Sequence, residues 1–419
     1  MPSFKQSNHI PLPSTGGPAA LPPSPSGKGA RGLGLDGVDG PGLHDSSGLG
    51  PVHGGLDRQE LEALGLRPEE VLDFSASINP LGPPLGVRKA LASLDLSSYP
   101  DRECRALRAA LARRLEVSPD WILVGNGSTE LIHLLTRALL AHGDRAAIFT
   151  PTFGEYDAAC RLSGADVAAV QADENNGFRW DIESAAALLS GVGAQHGAPL
   201  PPAPPRLLFL CNPNNPTGVY LSRAEVERVV TALPDTIVVL DEAYATFADE
   251  PWDSVPLLKH PNVVLLHSMT KAYAIPSLRL GYAVARPELL RQVAHFQPSW
   301  SVNGAAQAAG VAALREDPYL QIARAAVQES KAYLRERLES AGLRVVMGAA
   351  NFLLVDVGDA RAVRRRLLEQ RLCVRDCASF GVPRYIRIGI RTLPDCRRLA
   401  DTLIATCSEK TRMAAPDAR

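Results

Sequence analysis

Four short apolar runs in this chain each end on residues that carry chemistry, and that coincidence constrains the fold most. Residues 121–124, 206–210, 236–240 and 262–266 read as buried strands. Directly beyond them stand Gly125-Asn126-Gly127-Ser128-Thr129, Asn212-Pro213-Asn214-Asn215-Pro216-Thr217-Gly218, Asp241-Glu242-Ala243-Tyr244 and His267-Ser268-Met269-Thr270-Lys271. Helical patterns separate the runs. Alternating strands and helices predict a mostly parallel sheet with covered faces, an α/β fold. Ligands of such sheets gather at the carboxyl ends of the strands. The four segments therefore predict one shared site.

Each segment suits a different task. Residues 121–129 read as a strand, a glycine turn and the start of a helix that runs to residue 140. Free backbone N–H groups and the helix dipole make such a turn an anion site, and Ser128 and Thr129 add hydroxyls. It is not a P-loop, because the Gly-Lys-Ser/Thr ending is absent. A lone lysine after a strand is most often a surface residue. Lys271 has neighbours that reverse this. A desolvated lysine is a nucleophile toward aldehydes. Arg279, eight residues on, offers a charged donor fork, and with Ser268 it suits a phosphate. A strand at 146–150 leads to Phe153, placed to stack on a flat ring, whereas Tyr156 reads as core. The proline-fixed loop 76–84 is a substrate wall through Asn79 or a structural turn; the residues leave both open.

Composition excludes several classes. With 44 Lys and Arg against 45 Asp and Glu, the net charge is -1, so nothing draws the chain to nucleic acid or a membrane surface. No apolar run reaches membrane-spanning length, and no signal peptide is read. The seven cysteines are odd in number and suit neither a disulfide framework nor a zinc site. Reduced thiols, no metal and a cytoplasmic location are expected.

The organisation predicted from these patterns has five parts. Residues 1–50, rich in Pro, Gly and Ser, form a disordered tail. Residues 51–94 are an N-terminal arm and part of a small domain. Residues 95–304 are the large domain, with a surface excursion at 191–205. Residues 305–408 are a smaller α+β domain, and 409–419 a flexible tail. In the smaller domain a helix at 305–340 is interrupted at Pro318. Strands at 344–347, 351–355, 372–375 and 385–390 surround a helix at 360–370.

Together, Asn215-Pro216-Thr217-Gly218, Asp241-Glu242-Ala243-Tyr244, Ser268-x-x-Lys271 and Arg279 resemble the fold-type I pyridoxal phosphate (PLP) enzymes of the aminotransferase class I/II superfamily. The resemblance covers about residues 53–408. It implies PLP carried on Lys271 as a Schiff base, with Asp241 paired to the pyridine nitrogen. It implies Asn215 and Tyr244 on the ring oxygen and Phe153 on the ring face. Gly127, Ser128, Thr129, Ser268 and Arg279 would hold the phosphate. Tyr99, in Tyr99-Pro100-Asp101, would reach the phosphate of a neighbouring subunit, which implies a homodimer. The implied substrate contacts are His53, Gly54, Asn79, Asn215, Arg375 for a phosphate and Arg387 for a carboxylate. Arg391 could share either arginine's role.

Within the superfamily the chain is similar to two groups with phosphorylated substrates, histidinol-phosphate aminotransferases and the threonine-phosphate decarboxylases of cobalamin biosynthesis. His53-Gly54-Gly55, followed by Asp73-Phe74-Ser75-Ala76-Ser77-Ile78-Asn79-Pro80-Leu81-Gly82-Pro83-Pro84, resembles the decarboxylases. The Asn-Glu-Asn-Pro loop usual in the aminotransferases is missing. Ser77 and Leu56 depart from the decarboxylase pattern, which has asparagine at both places. The resemblance predicts decarboxylation of L-threonine O-3-phosphate to (R)-1-amino-2-propanol O-2-phosphate. The alternative is transamination of histidinol phosphate or a related phosphorylated amino compound. Transcription regulators with this fold carry a helix-turn-helix ahead of it, and the first 50 residues here are neither basic nor helical in pattern.

Overall fold

The computed structural model describes residues 53–191 and 203–414. The predicted tail at 1–50 and most of the predicted excursion at 191–205 lie outside the described residues. The first strand, β1 (Leu72–Asp73), is two residues long. Seven strands follow: β2 (Ile122–Asn126), β3 (Arg145–Thr150), β4 (Asp166–Gln171), β5 (Leu207–Cys211), β6 (Ile237–Asp241), β7 (Val263–Ser268) and β8 (Leu280–Val284). They form one sheet in the order β2-β8-β7-β6-β5-β3-β4. Only β8 runs antiparallel to its neighbours. The carboxyl ends of β2, β5, β6 and β7 therefore share one edge, and β8 starts there.

The central strands are apolar at every position because both faces of the sheet are covered. Side chains alternate between faces. Leu208, Leu210, Val238, Leu240, Val263 and Leu265 join one core with Leu107 and Leu111 of the helix Arg105–Leu115. The intervening Leu207, Phe209, Val239, Val264 and Leu266 join a second core with Leu131 and Leu135 of the helix Gly127–Leu139. Edge strand β4 has only Val170 buried, so it lacks the apolar run that marks its neighbours, and sequence reading passed over it.

The remaining strands are β9 (Arg344–Val346), β10 (Phe352–Asp356), β11 (Leu372–Cys373), β12 (Arg375–Asp376) and β13 (Tyr385–Gly389). β12-β13-β10-β9 form an antiparallel sheet, while β11 pairs in parallel with β1. The single strand expected at 372–375 is thus two, broken at Val374 because its halves serve different partners. The helical region beyond 304 divides into Gly304–Ala313 and Asp317–Ser340. Pro318 lies in the first turn of the second helix, where a missing N–H removes no helical bond. The last helix, Leu393–Ala414, runs through most of the tail predicted as flexible. Its Cys396, Leu399, Ala400 and Leu403 are buried, and neither glycine nor proline interrupts 409–414. Among the described residues no helix is long and apolar enough to cross a membrane.

Candidate active site

A cavity of about 560 Å³ opens at the carboxyl edge of the seven-stranded sheet. Lys271, Asp241, Asn215, Tyr244, Arg279 and Arg387 all line it. Four elements distant in sequence deliver these groups to one place.

Strand β6 ends at Asp241, which is 2% exposed. Its Oδ2 accepts from the Tyr156 hydroxyl at 2.7 Å and its Oδ1 from the Ala243 N–H at 2.9 Å. Burial raises the carboxyl pKa, and the two hydrogen bonds oppose that rise. Strand β7 ends at Ser268 and turns into the short helix Met269–Ala272, which carries Lys271. Burial, then the charges of Arg387 and Arg279, pull the Lys271 amine down to about 8. An amine so placed is half neutral near a pH of about 8 and largely free base above it.

The anion end of the cavity is built from close backbone packing. Ser128, Thr129, Ser268 and Arg279 line it, at the start of the helix Gly127–Leu139. Gly127 has a φ of +79°, and a Cβ there would lie 2.9 Å from Arg279 Nη2. Gly281 on β8 leaves still less space: its Cβ would stand 2.5 Å from the Ser128 nitrogen. Ser268 Oγ and Thr270 Oγ1 are 2.7 Å apart. Phe153 lies at the wall, its ring 5.6 Å from that of Tyr156. Asn215 is set in a loop braced by Asn214, which bonds Thr152, Thr217 and the Pro151 carbonyl.

Across the cavity, Arg387 of β13 is 4% exposed. Its Nη2 donates to the Ser75 carbonyl at 2.6 Å and its Nη1 to Asn215 Oδ1. Gly54 packs there too, with a would-be Cβ only 2.3 Å from the Ser75 carbonyl oxygen. His53 and Gly54 both line the cavity.

Besides Gly127, which packs beneath Arg279, four residues predicted for the site stand apart from the cavity wall. Asn79 is buried at 3%, and its amide donates to the Ala272 carbonyl at 2.8 Å and accepts from the Leu81 N–H. It clamps the lysine helix from behind, so of the two readings of its loop the structural one holds for this side chain. Arg375 is the register partner of Arg387, yet its Nη2 bonds Ser379 Oγ at 2.6 Å behind the Phe380 ring. Arg391 pairs with Asp395 and the Asp73 carbonyl. Tyr99 is 82% exposed and stacks on Trp300 at 4.8 Å.

Sequence reading passed over Tyr156 as core, and over Glu155 and Gly281 altogether. The one available signal was Glu155-Tyr156 following Phe153 at a strand end.

This sheet order, with β8 alone reversed, is the fold of the type I PLP-dependent transferases. Histidinol-phosphate aminotransferase from Sinorhizobium meliloti, solved in complex with pyridoxal-5'-phosphate, superimposes with a TM-score of 0.72. It is 27% identical, and the match covers 85% of this chain and 94% of that one. Sequence carries the assignment further. Residues 69–403 match the aminotransferase class I and II family, and the chain belongs to it. Histidinol-phosphate aminotransferase of Symbiobacterium thermophilum is 38% identical over 351 residues, covering 83% of this chain and 92% of the relative. Threonine-phosphate decarboxylase of Salmonella typhimurium is 37% identical over 362 residues, covering 84% and 95%.

Proposed function

We propose that this protein is a PLP-dependent enzyme that acts on a phosphorylated amino compound. One observation carries the reading: the lowered amine of Lys271 shares a cavity with the buried Asp241 carboxylate and the Arg279 guanidinium. The donor set fits the cofactor end to end. Arg279, Ser268 and the helix N-terminus suit its phosphate. Asp241 is a buried carboxylate in need of a cation, and a protonated ring nitrogen is one. Tyr244 and Asn215 suit the ring oxygen and Phe153 the ring face. Bound PLP supplies an aldehyde carbon for amines and a ring that draws electrons from bonds at the substrate's α-carbon.

The chain's own groups do the rest. Lys271, neutral above a pH of about 8, holds the cofactor and moves protons at the α-carbon. Asp241 keeps the ring nitrogen charged, and Tyr156 keeps Asp241 in place. The Arg387 fork takes a carboxylate. His53 and Gly54, which line the cavity, are assigned to the substrate's remaining contacts. The enzyme is a homodimer in this reading, with the exposed Tyr99 of one protomer reaching its partner's cavity. Residues 95–304 form the cofactor-binding domain, and 305–408 with the arm at 51–94 the smaller one.

The relatives weigh toward transamination of histidinol phosphate or a related compound, and we take that as the first reading. One specific observation favours decarboxylation of threonine phosphate as the second. His53, Gly54, Ala76, Ser77 and Ile78, from the segment that resembles the decarboxylases, all line the cavity. Both reactions use the same cofactor contacts, so only products separate them. PLP-loaded protein is given histidinol phosphate with 2-oxoglutarate, and separately threonine phosphate alone. Glutamate from the first supports transamination. Carbon dioxide from the second, without an oxo acid, establishes the decarboxylase. Neither product would overturn both.

A further inference from the structure

His53, Glu155 and His133 form a cluster that the cofactor contacts do not use. Glu155 is the first residue of the helix Glu155–Leu162 and is 6% exposed. Its Oε1 lies 2.8 Å from His53 Nε2, and its Oε2 lies 3.1 Å from His133 Nε2. Burial pushes the Glu155 carboxyl up, but the hydrogen bonds from His133 and His53 outweigh it and bring the pKa down to about 2. An ionised carboxylate only accepts hydrogen bonds, so each imidazole must present an N–H at Nε2. That fixes the direction of the His53 ring and leaves Nδ1 for a second partner, as carboxylates do behind metal-bound histidines.

The backbone around His53 is fixed as well. Gly54 has no room for a side chain against the Ser75 carbonyl, and the Gly55 N–H donates to Ser75 Oγ at 2.8 Å. The Phe153 ring stands 5.6 Å from the imidazole on the cavity side. We infer that Glu155, braced by His133, is a positioning residue. It holds His53 at the cavity wall so that Nδ1 meets the anionic oxygens of the substrate's phosphate. A hydrogen bond from Nδ1–H to an ionised phosphate oxygen is charge-assisted through its acceptor. The inference rests on the reading of a phosphorylated substrate. It adds that a buried glutamate outside the cavity lining sets the preference for one.

The test is a titration of the cofactor absorbance with matched pairs: histidinol phosphate against histidinol, and threonine phosphate against threonine. The wild-type holoenzyme should prefer the phosphorylated member of at least one pair. Glu155→Gln keeps the shape and removes the charge. It should lose about tenfold of that preference, with the cofactor band and the affinity for the unphosphorylated member unchanged. His133→Gln, at a partly exposed side chain, should lose about threefold, and it decides the matter if Glu155→Gln does not fold. An undiminished preference in the variant, or equal weakening of both members, overturns the positioning role alone. A wild type with no preference in either pair overturns the phosphorylated-substrate reading and this inference with it.

Discussion

The Tyr156 hydroxyl donates to the Asp241 carboxylate across 2.7 Å, although 85 residues separate them in the chain. Tyr156 is fully buried and stacks on Phe209 of β5 at 4.8 Å, nearly parallel. Burial and the neighbouring Asp241 charge hold the phenol well above its ordinary pKa, so it remains a donor. Tyr156→Phe should preserve the packing and remove one of the two donors to Asp241. A hydrogen bond to a charged group contributes about 1.5–3 kcal/mol, so kcat/KM should fall roughly 10- to 100-fold. Asp241→Asn removes the charge itself and should cost more, in kcat/KM and in cofactor affinity alike. Equal, small effects of the two substitutions would show that the tyrosine does not act through the carboxylate.

Lys271 gives a pH prediction with a definite sign. Its amine lies near 8, against an ordinary 10.5, because burial and the charges of Arg387 and Arg279 disfavour the ammonium. Attack on an aldehyde needs the neutral amine. Reloading of cofactor-free protein should therefore speed up with rising pH and level off just above about 8, rather than continue toward 10.5. Arg387→Gln removes one repelling charge and should move that plateau to higher pH. Stopped-flow absorbance across the range reads both curves. Lys271→Ala should leave no cofactor covalently attached after borohydride treatment.

Gly281→Ala tests the close packing under the phosphate end. A Cβ would sit 2.5 Å from the Ser128 nitrogen and 2.9 Å from the His267 carbonyl oxygen, both backbone atoms. The helix N-terminus must shift by several tenths of an ångström to admit it. Cofactor affinity should fall by about tenfold or more, while the substituted protein stays folded, since overpacking costs about 1–3 kcal/mol. Equilibrium dialysis against PLP, paired with a melting curve, separates these effects.

The parts of this site legible in sequence are those where a strand ends. Asp241, Asn215 and Lys271 each follow a short apolar run that reads as buried strand, so the topology of an α/β sheet brings them to one edge. Tyr156 and Glu155 were not legible because their roles depend on what crosses above them. Asp241 arrives from β6 and His53 from the N-terminal arm, 102 residues before Glu155. Asn79 misled for a related reason. A polar side chain in a rigid loop can face a cavity or brace its neighbour, and only the position of the lysine helix decides. Arg375 and Arg387 were read separately, for a phosphate and a carboxylate, and their place as register partners was not legible, because the break of the strand at Val374 was invisible. Two-residue strands leave no periodicity to read.

Glu242 and His267 lie just behind the lysine, and their opposed shifts predict the shape of stability against pH. Burial raises the Glu242 carboxyl from 4.5 to about 8, only partly offset by the Ser254 hydroxyl at 2.6 Å. Burial lowers His267 from 6.5 to about 4. The folded protein thus holds the Glu242 proton where the unfolded chain has lost it. That contribution is full below a pH of about 4.5 and disappears as pH rises toward about 8. For His267 the sign reverses: its contribution is present above about 6.5 and is lost as pH falls toward about 4. Glu242→Gln replaces the protonated acid with a group that never ionises. The melting temperature of the variant relative to wild type should therefore climb by several degrees between about pH 5 and about pH 8. A difference that stays flat across that range would mean that Glu242 is ionised in the folded protein, with His267, 3.6 Å away, as its counter-ion.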